Sequence, residues 1–175
     1  MIEEVVGIIG LIFSLIPLVI LPLKIRTGML KYFMLYIFLV LFYASYISYY
    51  FTGNNVLLAL LYVFQMLFFL NIYRSYLAKE LFLSLPAIFY VNDFALIFSF
   101  YFATFNLAEL LRNKINKKNV SMMAVLSLIF FDVGIIFQML RILSSQDYFS
   151  TMANGIFLIG TIFFIVPALR VVRKG

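Results

Sequence analysis

Long apolar stretches, each ended by a few polar or charged residues, make up most of the chain. Five of them approach the ~20 residues with which a helix crosses a ~30 Å hydrocarbon layer. These five stretches are Val5–Leu23, Leu30–Phe51, Val56–Tyr73, Val120–Leu140 and Met152–Leu169. Short connections between them, such as TGNN at 52–55, favour antiparallel neighbours. The pattern predicts an all-α membrane helix bundle in which residues 1–175 form a single integral membrane domain.

A sixth apolar region, ELFLSLPAIFYVNDFALIFSFYFATFNLAELLR at 80–112, is interrupted by Pro86, Asn92 and Asp93. If it crosses once, the chain has six spans, and the 13 Lys and Arg residues divide into seven inside and six outside. If it turns at Asn92-Asp93 and crosses twice, there are seven spans with twelve basic residues inside and only Arg141 outside. The positive-inside rule for short loops therefore predicts seven transmembrane helices, with the N-terminus outside and the C-terminus inside.

The predicted fourth span is the short one. Tyr76–Val91 would cover only about 24 Å as a helix, and a re-entrant hairpin is the alternative for this segment. Asp93 is expected to cap a fifth helix that begins at Phe94. Basic residues recur at matching ends of spans one to three and five to seven, which indicates a three-plus-one-plus-three plan with a parallel repeat.

The composition fits this architecture and restricts the chemistry. The chain is 66% hydrophobic and 11% charged, against roughly 25% charged residues in soluble domains. Cys and His are absent, which excludes disulfides, thiol nucleophiles and metal or haem ligation by these residues. GxSxG, HExxH and Gly-rich phosphate motifs are missing, so we expect no catalytic residues, no cofactor and no enzyme activity. The net charge of +6 is interpreted as topogenic, with no nucleic-acid partner.

Three polar residues inside the predicted spans are candidates for a ligand site. Asp132 lies about 13 residues past the cytoplasmic end of span six, where an ionisable group costs at least ~2.5–3.5 kcal/mol. It is interpreted either as a ligand, ion or proton site or as a carboxyl group that fixes helix packing beside Gly134. Gln65 and Gln138 are typical of interhelical hydrogen bonding. Gln65 lies near mid-depth and is the expected partner of Asp132.

Tyrosines cluster at the predicted outer end of span two. Tyr46 and Tyr49 belong to this cluster, which is typical of an interfacial belt, with an aromatic ligand pocket as the alternative. Together with Asp132, Gln65 and Gln138 they predict an outward-facing pocket among spans two, three, five and six. Such a pocket suits a lipophilic ligand that is cationic or donates hydrogen bonds, and not an anion.

The densest charge run is RNKINKK at 112–118. Its basic residues could dock an acidic cytoplasmic partner or anionic lipid, or could act only as a topogenic loop. They are Arg112, Lys114, Lys117 and Lys118. Glycines within the first and last spans are interpreted as positions of close helix approach. They are Gly7, Gly10, Gly155 and Gly160.

The stretches LRNKINKKNVSMMAVLSLIFFDVG and GIFLIGTIFFIVPALRVVRKG carry a resemblance to the seven-span sensory modules of archaeal and bacterial signalling proteins. The resemblance implies a non-enzymatic, multi-pass cell-membrane sensor. Because the chain stops at Gly175 without an output domain, it would pass its signal to a separate cytoplasmic partner. One alternative is a transporter similar to the SWEET and PQ-loop type, although the Pro-Gln signature is absent. Another is an accessory subunit of a larger membrane complex. A retinal-binding opsin is excluded because the last span has no lysine.

Overall fold

The structure is a computed structural model that describes residues 2–24, 29–77, 91–116, 120–144 and 146–173. Side chains are described over 2–20, 33–72, 92–116, 120–144 and 146–166. The described ranges contain six helices: α1 (Ile2–Lys24), α2 (Met29–Thr52), α3 (Asn55–Leu77), α4 (Val91–Ile115), α5 (Met122–Ser144) and α6 (Tyr148–Arg173). All six are long and apolar enough to cross a membrane. The predicted all-α, multi-pass membrane bundle is thereby confirmed.

Six of the seven predicted spans correspond to these helices. Spans one to three are α1 to α3, and spans five to seven are α4 to α6. The predicted fourth span, Tyr76–Val91, lies outside the described residues except at its two ends. The N-cap assigned to Asp93 is wrong, because α4 already includes Val91. Asp93 instead lies in the first turn of α4, where a carboxylate is favoured by the helix dipole.

The turn between α2 and α3 is built by local chemistry at TGNN. Gly53 has a positive φ of 63°, and its N–H donates to the carbonyl of Tyr49 at 2.7 Å, closing the last turn of α2. Asn54 then accepts a hydrogen bond from the N–H of Val56 at 2.9 Å through its side-chain oxygen. This bond caps the N-terminus of α3, so that α3 runs back antiparallel to α2.

The helices form a ring in chain order. Each helix contacts the next, and α6 closes the ring by packing against α1. The hydroxyl of Thr151 donates to the Glu3 carboxylate at 2.9 Å, which brings the first turns of α1 and α6 together. We call this the Glu3 end of the bundle. The opposite end, where α4 terminates, is called the Arg112 end.

Helices α3 and α4 are neighbours that run in the same direction. Gln65 and Tyr62 of α3 lie beside Gln138 and Arg141 of α5, respectively. Moving three residues back along α3 therefore moves three residues forward along α5, so these helices are antiparallel. Helix α4 is also antiparallel to α5, through the short connection at their junction. Consequently α3 ends at the Arg112 end of the bundle and α4 begins at the Glu3 end.

A cluster of aromatic side chains fills the centre of the ring. Phe131 of α5 lies at its middle, fully buried, with its ring centroid 4.6 Å from that of Phe157 and 5.4 Å from that of Phe69. Tyr43 joins this core and shares a buried 2.7 Å hydrogen bond with Thr161. The described part of the bundle interior is therefore packed with rings below the level of the polar groups at the Glu3 end.

Candidate functional site

A cavity of about 220 Å³ opens between five helices at the Glu3 end. Its aromatic lining consists of Tyr46, Tyr49, Tyr50 and Tyr62. Its charged lining consists of Glu3, Arg141 and Asp147. The remaining lining residues are Leu58, Leu61, Gln138, Ser150 and Asn154. This mixture of aromatic walls and convergent polar groups is typical of a small-molecule site, and the volume suits a small ligand.

Arg141 forms one side of this cavity. It belongs to the last turns of α5, and its guanidinium lies within hydrogen-bonding reach of the hydroxyls of Tyr49 and Tyr62. The carboxylate of Asp147, in the turn before α6, lies close enough to interact electrostatically with it. The two tyrosines come from different helices, so the arginine ties α2 and α3 to α5 beside the cavity.

Glu3 forms the opposite charged group. It lies in the first turn of α1, where the helix dipole favours an anion. Its carboxylate accepts a hydrogen bond from neutral Thr151 and lies close to Tyr46. Glu3 is thus placed at the cavity by the contact between the parallel helices α1 and α6.

Tyr46 lines the cavity, but its hydroxyl oxygen is buried and not exposed to the cavity space. Its side chain is only 5% exposed, and its hydroxyl makes no hydrogen bond of ordinary geometry with the described residues. The Asn154 amide is its polar neighbour, and the amide nitrogen uses one of its two hydrogens to donate to Ser150 at 3.4 Å. A buried hydroxyl without a partner costs about 1–3 kcal/mol, and the neighbouring Asn154 amide is the group placed to reduce this cost.

Gln65 and Gln138 form the polar floor of the site. The side-chain nitrogen of Gln65 donates to the side-chain oxygen of Gln138 at 2.9 Å. Both residues are buried, and the Gln65 side-chain oxygen lacks a partner among the described residues. Gln138 faces the cavity, whereas Gln65 reaches it only through Gln138. The partner of Gln65 is therefore Gln138. The expectation from the sequence that Gln65 pairs with Asp132 is wrong.

Asp132 lies deeper than the cavity and on another side of α5. It is 8% exposed, and its carboxylate accepts a hydrogen bond from Thr104 of α4 at 3.3 Å. Six residues separate it from Gln138, about 9 Å along a helix, and it is not among the residues that line the described cavity. In this structure it takes part in the α4–α5 contact, which corresponds to the packing interpretation of this residue.

The candidate docking residues lie at the Arg112 end. Arg112 is largely exposed, and a guanidinium nitrogen of its side chain lies 3.9 Å from a carboxylate oxygen of Glu109 on the preceding turn. Lys114 is also exposed, and its ammonium contacts the sulfur of Met122 at 2.8 Å. Lys117 and Lys118 lie outside the described residues. The described pair thus forms an accessible basic surface at the end opposite the cavity.

Sequence reasoning did not assign Glu3, Tyr62, Arg141 or Asn154 to the site. One of them carried a signal in the sequence, because Arg141 is the single exception to the positive-inside count of the predicted seven-span topology. The described residues contain no group of His, Cys, Asp and Glu that could hold a metal ion. No known protein family, curated protein or solved structure matches this chain. The fold and site define a multi-pass membrane helix bundle with a small polar cavity at one end.

Proposed function

We propose that this protein is a non-enzymatic, seven-crossing sensor module that binds a small molecule in its outer cavity and signals to a separate cytoplasmic protein. The observation that carries the proposal is the cavity at the Glu3 end, where charged, aromatic and amide groups from five helices converge.

The packing beneath the cavity favours sensing over transport. The Gln65–Gln138 pair lies beneath it, and the aromatic cluster around Phe131 fills the described centre below that pair. A ligand that enters from the Glu3 end would meet this packed core. Binding at one end of a solid bundle suits a receptor that changes the relative positions of helices.

The direction of α3 and α4 supports seven crossings. The chain leaves α3 at the Arg112 end and enters α4 at the Glu3 end, so the connection between Leu77 and Val91 joins opposite ends of the bundle. Its 14 peptide steps reach at most about 46–50 Å when extended, which exceeds the ~33 Å length of α3. The twelve-to-one charge count orients the Glu3 end outward and the Arg112 end toward the cytoplasm.

Single cysteines test this topology, since the chain has none of its own. Thr52, Asn116 and Gln146 are exposed and lie in or beside connections. Seven crossings require a membrane-impermeant thiol reagent to label Thr52→Cys and Gln146→Cys in whole cells and to spare Asn116→Cys. A six-crossing chain would instead place Thr52→Cys and Asn116→Cys on one side, which would refute the topology.

The accessible basic surface at the Arg112 end is the proposed output site. Arg112 and Lys114 are exposed there, and complementary charge raises the rate at which an acidic partner associates. In the proposed topology this surface faces the cytoplasm, which places input and output on opposite sides of the membrane.

A transporter of SWEET/PQ-loop-like architecture is the second candidate. The ring contains two parallel contacts, α3 with α4 and α6 with α1, on opposite sides. Two three-helix units related by a two-fold axis along the membrane normal would produce this arrangement, as in parallel-repeat transporters. Uptake of a bound compound into sealed vesicles would favour this candidate over the sensor.

The decisive experiment is a ligand screen that includes a variant in which a larger side chain fills the cavity. Leu58 lines the cavity, whereas its neighbour Leu57 does not. Compounds from a collection of small polar metabolites should raise the unfolding temperature of the purified protein and of Leu57→Trp, but not of Leu58→Trp. A ligand at 100 times its Kd stabilises by about 2.7 kcal/mol, a readily measured shift. If no compound raises the unfolding temperature of the original protein and of Leu57→Trp without also raising that of Leu58→Trp, the cavity is not a ligand site and the proposal fails.

A further inference from the structure

The charges that line the cavity do not balance. Glu3 and Asp147 are acidic and Arg141 is basic, which leaves one excess negative charge. Arg141 has polar neighbours of its own, because Asp147 lies near it and the hydroxyls of Tyr49 and Tyr62 are within reach. The Glu3 carboxylate accepts a hydrogen bond from the neutral hydroxyl of Thr151. Among the lining residues, the Glu3 carboxylate therefore has no cationic partner.

The cavity that contains this carboxylate is lined in part by tyrosine rings. Tyr46 lies close to Glu3. Tyr49, Tyr50 and Tyr62 complete the aromatic lining. The negative faces of such rings attract cations, and several rings together form the cages that bind quaternary ammonium groups.

We infer that the cavity is selective for a small organic cation, with Glu3 as its counter-ion and the four tyrosines as its cage. This inference rests on the proposed ligand-binding function and adds the ligand class. A site with reduced water content strengthens the attraction between a cation and Glu3. An anion would meet excess negative charge, and the single guanidinium that could receive it is already engaged. The volume of about 220 Å³ limits the ligand to a few heavy atoms around the charged centre.

Three probes of similar size separate the chemical classes. Choline is a quaternary cation, 3,3-dimethyl-1-butanol is its neutral isostere, and glycine betaine adds a carboxylate that Arg141 could receive. Binding is measured by calorimetry on the purified full-length protein in detergent. We expect saturable binding of choline and at least tenfold weaker binding of the neutral isostere, since only the cation interacts with Glu3 and the ring faces.

The matched variants are Glu3→Gln and Glu4→Gln. Glu4 lies beside Glu3 in the chain but does not line the cavity. Glu3→Gln should weaken choline binding about tenfold or more, whereas Glu4→Gln should leave it within about twofold. Equal choline affinity in both variants would overturn the inference, as would equal binding of the neutral isostere or a lack of choline binding.

Failure of this inference is distinguishable from failure of the proposed function. Tighter binding of glycine betaine than choline, lost in Arg141→Gln, would overturn the cation class while leaving the cavity a ligand site. If the screen finds a compound whose stabilising effect is lost in Leu58→Trp but choline does not bind, the cation class is likewise overturned while the cavity remains a ligand site. If the screen yields no Leu58-dependent compound, both the function and the ligand class fail.

Discussion

Substituting alanine for Gly160 tests the packing of α5 against α6. A Cβ atom at this position would lie 2.8 Å from Cδ1 of Phe131 and 3.2 Å from the carbonyl oxygen of Ser127. Carbon atoms in contact are ordinarily about 3.5–4.0 Å apart. Phe131 cannot move away easily, because it is fully buried and packs against Phe157. The added methyl group therefore has to separate the two helices.

The same helix provides a matched control at Gly155. A Cβ there would have no described heavy atom, outside its own helix surroundings, within 4 Å. Alanine favours a helix by about 0.8–1 kcal/mol over glycine at either position, so this gain cancels when the two variants are compared. Overpacking at Gly160 costs about 1–3 kcal/mol. Loss of the 2.8 Å hydrogen bond from Ser127 to the Gly160 carbonyl adds about 0.5–1.5 kcal/mol.

Gly160→Ala should therefore have a free energy of unfolding about 1.5–4.5 kcal/mol lower than Gly155→Ala. Reversible unfolding in mixed micelles, followed by circular dichroism as the denaturing detergent increases, measures this difference. Gly155→Ala itself should be as stable as the original protein or slightly more stable. Equal free energies for the two variants would show that α5 and α6 do not approach each other at Gly160 as described.

Two further predictions concern polar contacts between helices. A double-mutant cycle of Gln65→Leu and Gln138→Leu should give a coupling free energy of about 0.6–1.7 kcal/mol; a value of zero would mean that the 2.9 Å bond between them does not form. Asp132→Asn should unfold less readily than Asp132→Leu, because asparagine can still accept the hydrogen bond from Thr104. Introducing Thr104→Val should remove most of that difference, and Asp132→Leu with full stability would show that the carboxyl group is incidental.

Much of the fold could be predicted because membrane solvation leaves few alternatives. A stretch of about 20 apolar residues in lipid satisfies its backbone groups by forming a helix, so the positions of α1, α2, α3, α5 and α6 followed from the apolar pattern. Boundaries were less predictable. Polar terminal residues extend several helices beyond their apolar stretches, as at Tyr148 of α6, which precedes the predicted start at Met152.

The ring order could not be predicted from apolar length. That pattern specifies which residues are helical but not which faces meet, and side-chain packing sets the rotation of each helix in the bundle. The four glycines illustrate this. Gly7, Gly10 and Gly160 lie where an added Cβ would overlap a neighbouring side chain, whereas Gly155 faces open space, although all four had been interpreted as packing positions.

The sequence predicted how far along the bundle the site residues lie, but not toward which helix each side chain points. Tyr46, Tyr49 and Gln138 were expected near the outer end and do line the cavity. Asp132 was expected to face the same pocket, but its rotation about α5 turns it toward Thr104. The cost of a buried carboxylate indicates that some partner exists. It does not indicate on which helix that partner lies.

Arg141 connects the topology to the site. A basic residue that only orients a helix needs no particular neighbours, and the positive-inside rule would then place it with the other twelve. Arg141 instead lies half-buried near the end of α5, within reach of Tyr49 and Tyr62 and near Asp147.

A guanidinium inside a span costs ~2.5–3.5 kcal/mol at the bilayer centre, and less near its ends where polar partners and water are available. These three partners offset that cost while holding the wall of the cavity in place. In the proposed seven-crossing topology, a role in the cavity would explain why Arg141 is the exception to the charge rule, and an exception of this kind in other bundles would be a reason to look for a site nearby.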